Sequence, residues 1–103
     1  MDFLQATEQF LSHLQLAKGA SEHTLRGYRT DFQSFAQFFK TGELGKINKH
    51  LIRRYLASLH EQKAATKTIL RRLSSLRSFY RFAIREKLAL ENPLEEIDSP
   101  KKE

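Results

Sequence analysis

Apolar residues recur at the spacing of an α-helix in four separate segments of the chain, and no segment alternates with a sustained period of two. The first predicted helix runs from about residue 3 to residue 18, with Gly19 as its C-terminal stop. The second begins after Ser21 and the third after Asn48, because both side chains are good N-caps. The fourth covers about residues 66 to 88. This pattern predicts an all-α fold, a compact bundle of four or five helices.

Each predicted helix has one apolar stripe, and the four stripes are expected to form a single core. In chain order they comprise Phe3, Leu4, Phe10, Leu11, Leu14 and Ala17; Leu25, Tyr28, Phe32, Phe35, Ala36 and Phe39; Leu51, Ile52, Tyr55, Leu56 and Leu59; and Ile69, Leu73, Leu76, Tyr80, Ala83 and Ile84. Pro93 is expected to end any helix. Residues 94–103 are mostly charged, so residues 1–93 are predicted to be the domain and residues 94–103 a linker or frayed tail.

The net charge of the chain says more about its function than its length does. The 103 residues suit one domain, and 18 Lys and Arg against 12 Asp and Glu give a formal net charge of +6. A basic balance of this size is typical of proteins that bind nucleic acid, although a basic surface with no polyanionic partner also fits it. The chain has no Cys, which excludes disulfides and thiolate metal sites.

Other function classes lack their sequence signatures. The four His residues show no metal-ligand spacing, and the Gly residues lack the Lys-Ser/Thr of a phosphate-binding loop. We therefore predict no metal and no cofactor. No apolar run is long enough to span a membrane and no signal peptide is evident, so we expect a cytoplasmic protein with no membrane partner.

The fourth helix concentrates positive charge on one exposed face. On a helical wheel one arc of roughly 80°, opposite the apolar stripe, holds Lys67, Arg71, Ser74, Ser78, Arg81 and Arg85. No acid lies near this arc before Glu86, whereas a solvated helix normally interleaves Glu with its cations. Small hydroxyl residues between cations suit close approach to DNA phosphates, so we favour DNA binding over a solvated surface. Arg72 and Arg77 flank this face, and each could pack on the core rim or reach DNA.

The second helix carries a weaker version of the same pattern. Arg26 and Arg29 lie away from its aromatic stripe, and Thr24 lies in the first turn, where backbone N–H groups favour a phosphate. Taken alone, this face is more typical of a solvated surface.

Two strings give the chain a resemblance to a known family. One is Ser21-x-x-Thr24-x-x-x-Tyr28-x-x-Asp31-Phe32-x-x-Phe35-x-x-Phe38, and the other is Arg71-Arg72-Leu73-Ser74-Ser75-Leu76-Arg77-Ser78-Phe79-Tyr80, followed by Asn92-Pro93. Together they resemble the N-terminal core-binding domain of tyrosine recombinases and phage-type integrases, and the Xer branch most, with Phe32 and Ser75 in place of the usual Leu and Ala. The resemblance implies a SAM-like bundle that clamps one side of a DNA duplex with its second and fourth helices.

The resemblance also implies contacts and partners. Carried over by position, the DNA-contacting residues are Thr24, Arg26, Arg29, Arg71, Arg72, Ser74, Ser75 and Ser78, to which the wheel adds Lys67, Arg81 and Arg85. In the family a C-terminal domain cuts DNA with a Tyr nucleophile, and protomers assemble on DNA. We expect that domain to follow this segment in the same parent chain, and no catalytic residue within the segment.

The three tyrosines are expected to be core residues, and two alternative functions remain open. Tyr28, Tyr55 and Tyr80 lie on apolar faces, which predicts a role in the core and not as nucleophiles. A helical protein–protein interaction domain and a stand-alone DNA-binding regulator remain the alternative functions, because a fold alone does not fix function.

Overall fold

The structure is a computed structural model that describes residues 1–40 and 42–100. Its four helices are α1 (Phe3–Lys18), α2 (Glu22–Phe38), α3 (Lys49–Glu61) and α4 (Thr66–Arg85), with a short 3₁₀ turn, Leu44–Lys46, before α3. Within these residues the only extended pairing is one isolated bridge between Asp2 and Glu43, so the predicted all-α bundle is confirmed.

Local capping explains where the helices begin and end. Side chains of Asp2, Ser21 and Asn48 accept hydrogen bonds from backbone N–H groups of the first turns of α1, α2 and α3. Gly19 ends α1 in the left-handed conformation with φ 64°, as predicted. The last helix ends at Arg85, three residues earlier than the sequence predicts, because Lys87 reverses the chain at φ 60°.

The core is built on edge-to-face aromatic contacts between α1, α2 and α4. The ring of Phe3 lies 5.3 Å from that of Phe35 and 5.5 Å from that of Phe79, centroid to centroid. Helix α3 joins this core through Tyr55, whose ring lies 5.0 Å from Phe35 and whose hydroxyl is 2.9 Å from Ser34 Oγ. These contacts fix α2 and α4 side by side, which determines the candidate site.

The predicted stripes need correction at their edges. Leu4, Ala17 and Ile84 are exposed. The buried helical positions that the stripes omit are Ala6, Thr7, Asp31, Ser75, Phe79 and Phe82. The reason is that α1 contacts both α2 and α4, and α4 is covered on two sides. The buried arc is therefore wider than a single stripe and is displaced from it.

The predicted linker boundary at residue 94 is wrong. Leu94 and Ile97 are buried in the core, at 2% and 7% exposure. Arg77 of α4 donates hydrogen bonds to the carbonyl of Ile97 and to Ser99 Oγ, both at 2.8 Å. The segment that follows α4 is therefore part of the domain at least as far as Ile97. Residues 101–103 lie outside the described residues.

Candidate nucleic-acid interface

One side of α4 presents a row of cations to solvent. We call this row the helix-four face; it consists of Lys67, Arg71, Ser74, Ser78, Arg81 and Arg85. All six side chains lie at the surface, and only Ser78 is half-buried. The exposure that the helical wheel predicts is confirmed.

The cations of the helix-four face differ in whether they already contact another side chain. Among the described residues, Lys67 and Arg81 form no ion pair, and Arg81 donates to Ser78 Oγ at 3.2 Å. Arg85 instead lies 3.2 Å from the His13 ring nitrogen of α1 and 3.8 Å from a carboxylate oxygen of Glu86. Lys67 and Arg81 are therefore the cations most available to an added anion.

Arg71 has an acidic partner that the sequence reasoning missed. Asp31 of α2 is 3% exposed, and its Oδ1 accepts hydrogen bonds from Arg71 Nε at 3.2 Å and Nη2 at 2.9 Å. Its Oδ2 accepts a hydrogen bond from Ser75 Oγ at 2.6 Å. The expectation that no acid lies near this arc holds along α4 but is wrong across the helix interface. A carboxylate beside Phe32, at the edge of the aromatic stripe, was the available signal.

The burial and hydrogen bonding on α4 bear on two predicted DNA contacts, those of Ser75 and Arg72. Ser75 is buried and its hydroxyl donates to Asp31, an arrangement that disfavours the predicted direct DNA contact by Ser75. Arg72 is half-buried, and its Nε is buried with no hydrogen-bond partner in the described part of the chain. This environment favours the core-rim interpretation of Arg72. Arg77 holds the segment after α4, which favours the same interpretation for that residue.

The three candidate residues of α2 do not share one side of the helix. Thr24 precedes Asp31 by seven residues and lies within about 20° of it on the wheel, so it is on the side that faces α4. Arg29 is about 160° from Asp31 and forms an ion pair with Glu8 of α1, Nε to Oε1 at 3.3 Å. Arg26 is about 140° from Asp31. The structure therefore brings Thr24, and neither arginine, toward the side of α2 that adjoins α4.

Electrostatics distinguish the two ends of the helix-four face. Near its C-terminal end, Arg81 and Ile84 line a cleft together with three acids, Glu91, Glu95 and Glu96. The ammonium of Lys49 bonds to Glu96 at 3.1 Å and lowers the pKa of that carboxyl, so Glu96 keeps its negative charge. At the N-terminal end, Ala65 caps α4 without a side-chain hydrogen bond, and Lys67 lies in the first turn. Of the two cations that form no ion pair among the described residues, Arg81 therefore lines a cleft that contains acids, and Lys67 does not.

The tyrosines occupy core positions, as predicted. Tyr80 and Tyr55 are buried, and Tyr28 is half-buried with its ring stacked on Phe32 at 5.8 Å. Burial raises the pKa of the Tyr80 hydroxyl well above its ordinary value.

Residues 1–40 and 42–100 contain neither a cluster of metal ligands nor a helix that could span a membrane. No three His, Asp or Glu side chains come together as metal ligands there, and no described helix has the length and hydropathy of a membrane span.

Comparisons with known proteins agree on one family. Residues 7–87 match the family described as "Phage integrase, N-terminal SAM-like domain". The chain is 38% identical to tyrosine recombinase XerC of Anoxybacillus flavithermus over 91% of its length, and 39% identical to tyrosine recombinase XerD of Staphylococcus haemolyticus over 93%. It covers 32% and 34% of those proteins, so the chain spans about a third of the curated relatives it matches. No solved structure matches the chain.

Proposed function

Because the chain belongs to the family of phage integrase N-terminal SAM-like domains, we propose that it is the DNA-binding domain of a site-specific tyrosine recombinase. In this proposal the domain clamps one side of a duplex. A C-terminal domain of the same parent chain cuts and rejoins the strands, and further protomers assemble on the DNA, in the cytoplasm. The segment itself supplies affinity and contributes no nucleophile.

The observation that carries the proposal is the helix-four face. Its cations lie along one exposed side of a single helix, where they can neutralise DNA phosphates. Ser74 lies between them and is small enough to let the helix approach DNA closely. At the N-terminal end, the partial positive charge of the helix adds to that of Lys67. Phosphate binding is the role proposed for the face as a whole.

The two candidate helices contribute unequally in this proposal. Helix α4 supplies most contacts, and Thr24 extends the surface onto the adjoining side of α2. Arg26 and Arg29 lie on other sides of α2, and Arg29 is already paired with Glu8. They contribute general positive charge and no direct contact.

Two double variants with equal charge loss test this division. Lys67→Gln with Arg81→Gln removes two cations that have no ion pair among the described residues. Arg26→Gln with Arg29→Gln removes two cations from elsewhere. A fluorescent duplex is titrated by anisotropy at several salt concentrations. For about four phosphate contacts, log K of the unmodified chain falls against log salt with a slope of about −3.6.

The expected result separates the two variants. Loss of two direct contacts lowers affinity and makes the slope shallower by about two units, whereas the α2 variant keeps nearly the original slope. Circular dichroism checks that both variants fold. Equal losses in the two variants indicate diffuse electrostatics and contradict a binding face on α4. An absence of binding at low salt refutes DNA binding and favours a protein–protein interaction domain.

A further inference from the structure

Asp31 connects the two helices at the site, yet it lies where it cannot touch DNA. It is 3% exposed, and both of its carboxylate oxygens are used, Oδ1 by Arg71 and Oδ2 by Ser75. A buried carboxylate held on both oxygens has a fixed position and orientation. Whatever is bonded to it is therefore fixed as well.

The ion pair between Asp31 and Arg71 uses only part of the Arg71 guanidinium. The guanidinium of Arg71 bonds to Asp31 through Nε and Nη2, which form one edge of its planar group. A guanidinium has five N–H donors, so three remain, two on Nη1 and one on Nη2. One N–H of Nη1 and the remaining N–H of Nη2 lie parallel along the second edge, and no described residue bonds to them. The Arg71 side chain is 56% exposed, so this second edge is open to solvent.

We infer that Asp31 is a positioning residue, which holds the guanidinium of Arg71 by one edge so that the other edge meets a DNA phosphate in two parallel hydrogen bonds. A flexible arginine loses rotamer freedom when it binds, and a pre-oriented one loses less. Ser75 supports the same arrangement from α4 by fixing Oδ2. This inference rests on the proposed function, because it assigns Arg71 a role in DNA binding.

A positioning role for Asp31 predicts a change in DNA affinity opposite in sign to the change that net charge alone would cause. Asp31→Asn raises the formal net charge of +6 by one and leaves Arg71 in place. If only charge mattered, DNA would bind equally well or more tightly. If Asp31 positions Arg71, the variant binds DNA about tenfold more weakly despite its greater positive charge.

A matched control makes the same charge change elsewhere. Glu8→Gln also raises the net charge by one, and it removes the partner of Arg29 on α1. This variant is expected to keep or increase the affinity. Asp31→Asn combined with Arg71→Gln is expected to bind no more weakly than Arg71→Gln alone, because the two residues act as one unit.

A second variant avoids dependence on the buried site. Arg71→Lys changes an exposed side chain and keeps the charge, but an ammonium bonded to Asp31 has no second planar edge to offer. Its affinity is expected to fall nearly as far as that of Arg71→Gln. A direct readout without DNA is the Arg71 Nε–H resonance in NMR. It should exchange slowly with solvent in the unmodified chain and rapidly in Asp31→Asn.

The outcomes separate this inference from the proposed function. If the unmodified chain binds no duplex, DNA binding fails and the role assigned to Arg71 fails with it. If the unmodified chain binds while Asp31→Asn and Arg71→Lys bind as tightly as it does, DNA binding stands and the positioning role of Asp31 is refuted. A rapidly exchanging Arg71 Nε–H in the unmodified chain also refutes it, whatever the affinities.

Discussion

Leu94 provides a direct test of where the domain ends. The side chain is 2% exposed, whereas Leu90, four residues earlier, is 95% exposed. Replacing a buried leucine by alanine removes its transfer free energy and leaves a cavity, at a cost of about 2–5 kcal/mol. Leu94 belongs to a short segment after the last helix that can partly relax, so Leu94→Ala is expected to lower the free energy of unfolding by about 2–3 kcal/mol.

The same substitution at Leu90 is the matched control. At that exposed position it changes the free energy of unfolding by no more than about 0.5 kcal/mol. For a domain of this size, 1 kcal/mol corresponds to about 4–8 °C in Tm, so Leu94→Ala should lower Tm by about 10–20 °C and Leu90→Ala by only a few degrees.

Thermal and urea unfolding followed by circular dichroism measure both values. The urea m-value should stay unchanged, which shows that the two variants unfold from the same compact state. Equal Tm values for the two variants would mean that residues after Pro93 do not contribute to the core. That result would restore the boundary that the charge pattern predicts.

Three further substitutions test the helical framework and the core. Gly27→Ala should stabilise the domain by about 0.5–1 kcal/mol in urea unfolding, because Gly27 is exposed within α2 and an added Cβ meets no atom within 4 Å. Gly42→Ala should destabilise it, since Gly42 has φ +71° and its Cβ would lie 2.6 Å from Asp2 Oδ1. Tyr80→Phe should stabilise by about 1 kcal/mol, because the buried hydroxyl has no partner among the described residues. Burial raises the pKa of Tyr80 because the ionised form is disfavoured in the core, so above the unfolded pKa near 10 ionisation favours the unfolded chain and stability falls as pH rises. Alkaline unfolding of Tyr80→Phe should therefore begin at higher pH. Unchanged stability in any of these three variants would contradict the physical reason given for that variant.

Helix limits could be predicted from the sequence because they depend on neighbouring residues. The cap at Ser21 bonds to the N–H of Thr24, three residues away, and Gly19 closes α1 by its own backbone conformation. Such signals need no knowledge of the rest of the fold. The exposed cations of α4 were predictable for a related reason. A single apolar stripe defines the direction of the core, and the opposite arc then faces solvent.

The segment after α4 was misread because composition hides its two apolar residues. Leu94 and Ile97 are three residues apart in a string that also holds Glu95, Glu96 and Asp98, and this charge is typical of a linker. Contacts between distant parts of the chain hold this segment against the helices. Arg77 bonds to the carbonyl of Ile97, and Lys49 pairs with Glu96. Neither contact has a counterpart in local spacing.

Arg29 and Arg71 show the same difference between what a local pattern predicts and what tertiary contacts add. On separate wheels Arg29 and Arg71 look equivalent, since each is a cation on the polar side of an amphipathic helix. In the structure each has a carboxylate partner on another helix, but the partners differ: Glu8 is an exposed residue of α1, whereas Asp31 is buried between α2 and α4. An exposed pair can open when a phosphate approaches, so it imposes no orientation. A pair with one buried member keeps its geometry and leaves one edge of the guanidinium facing outward. The sequence alone shows how many cations are present, and only the packing of α2 against α4 shows which of them is held by a buried carboxylate.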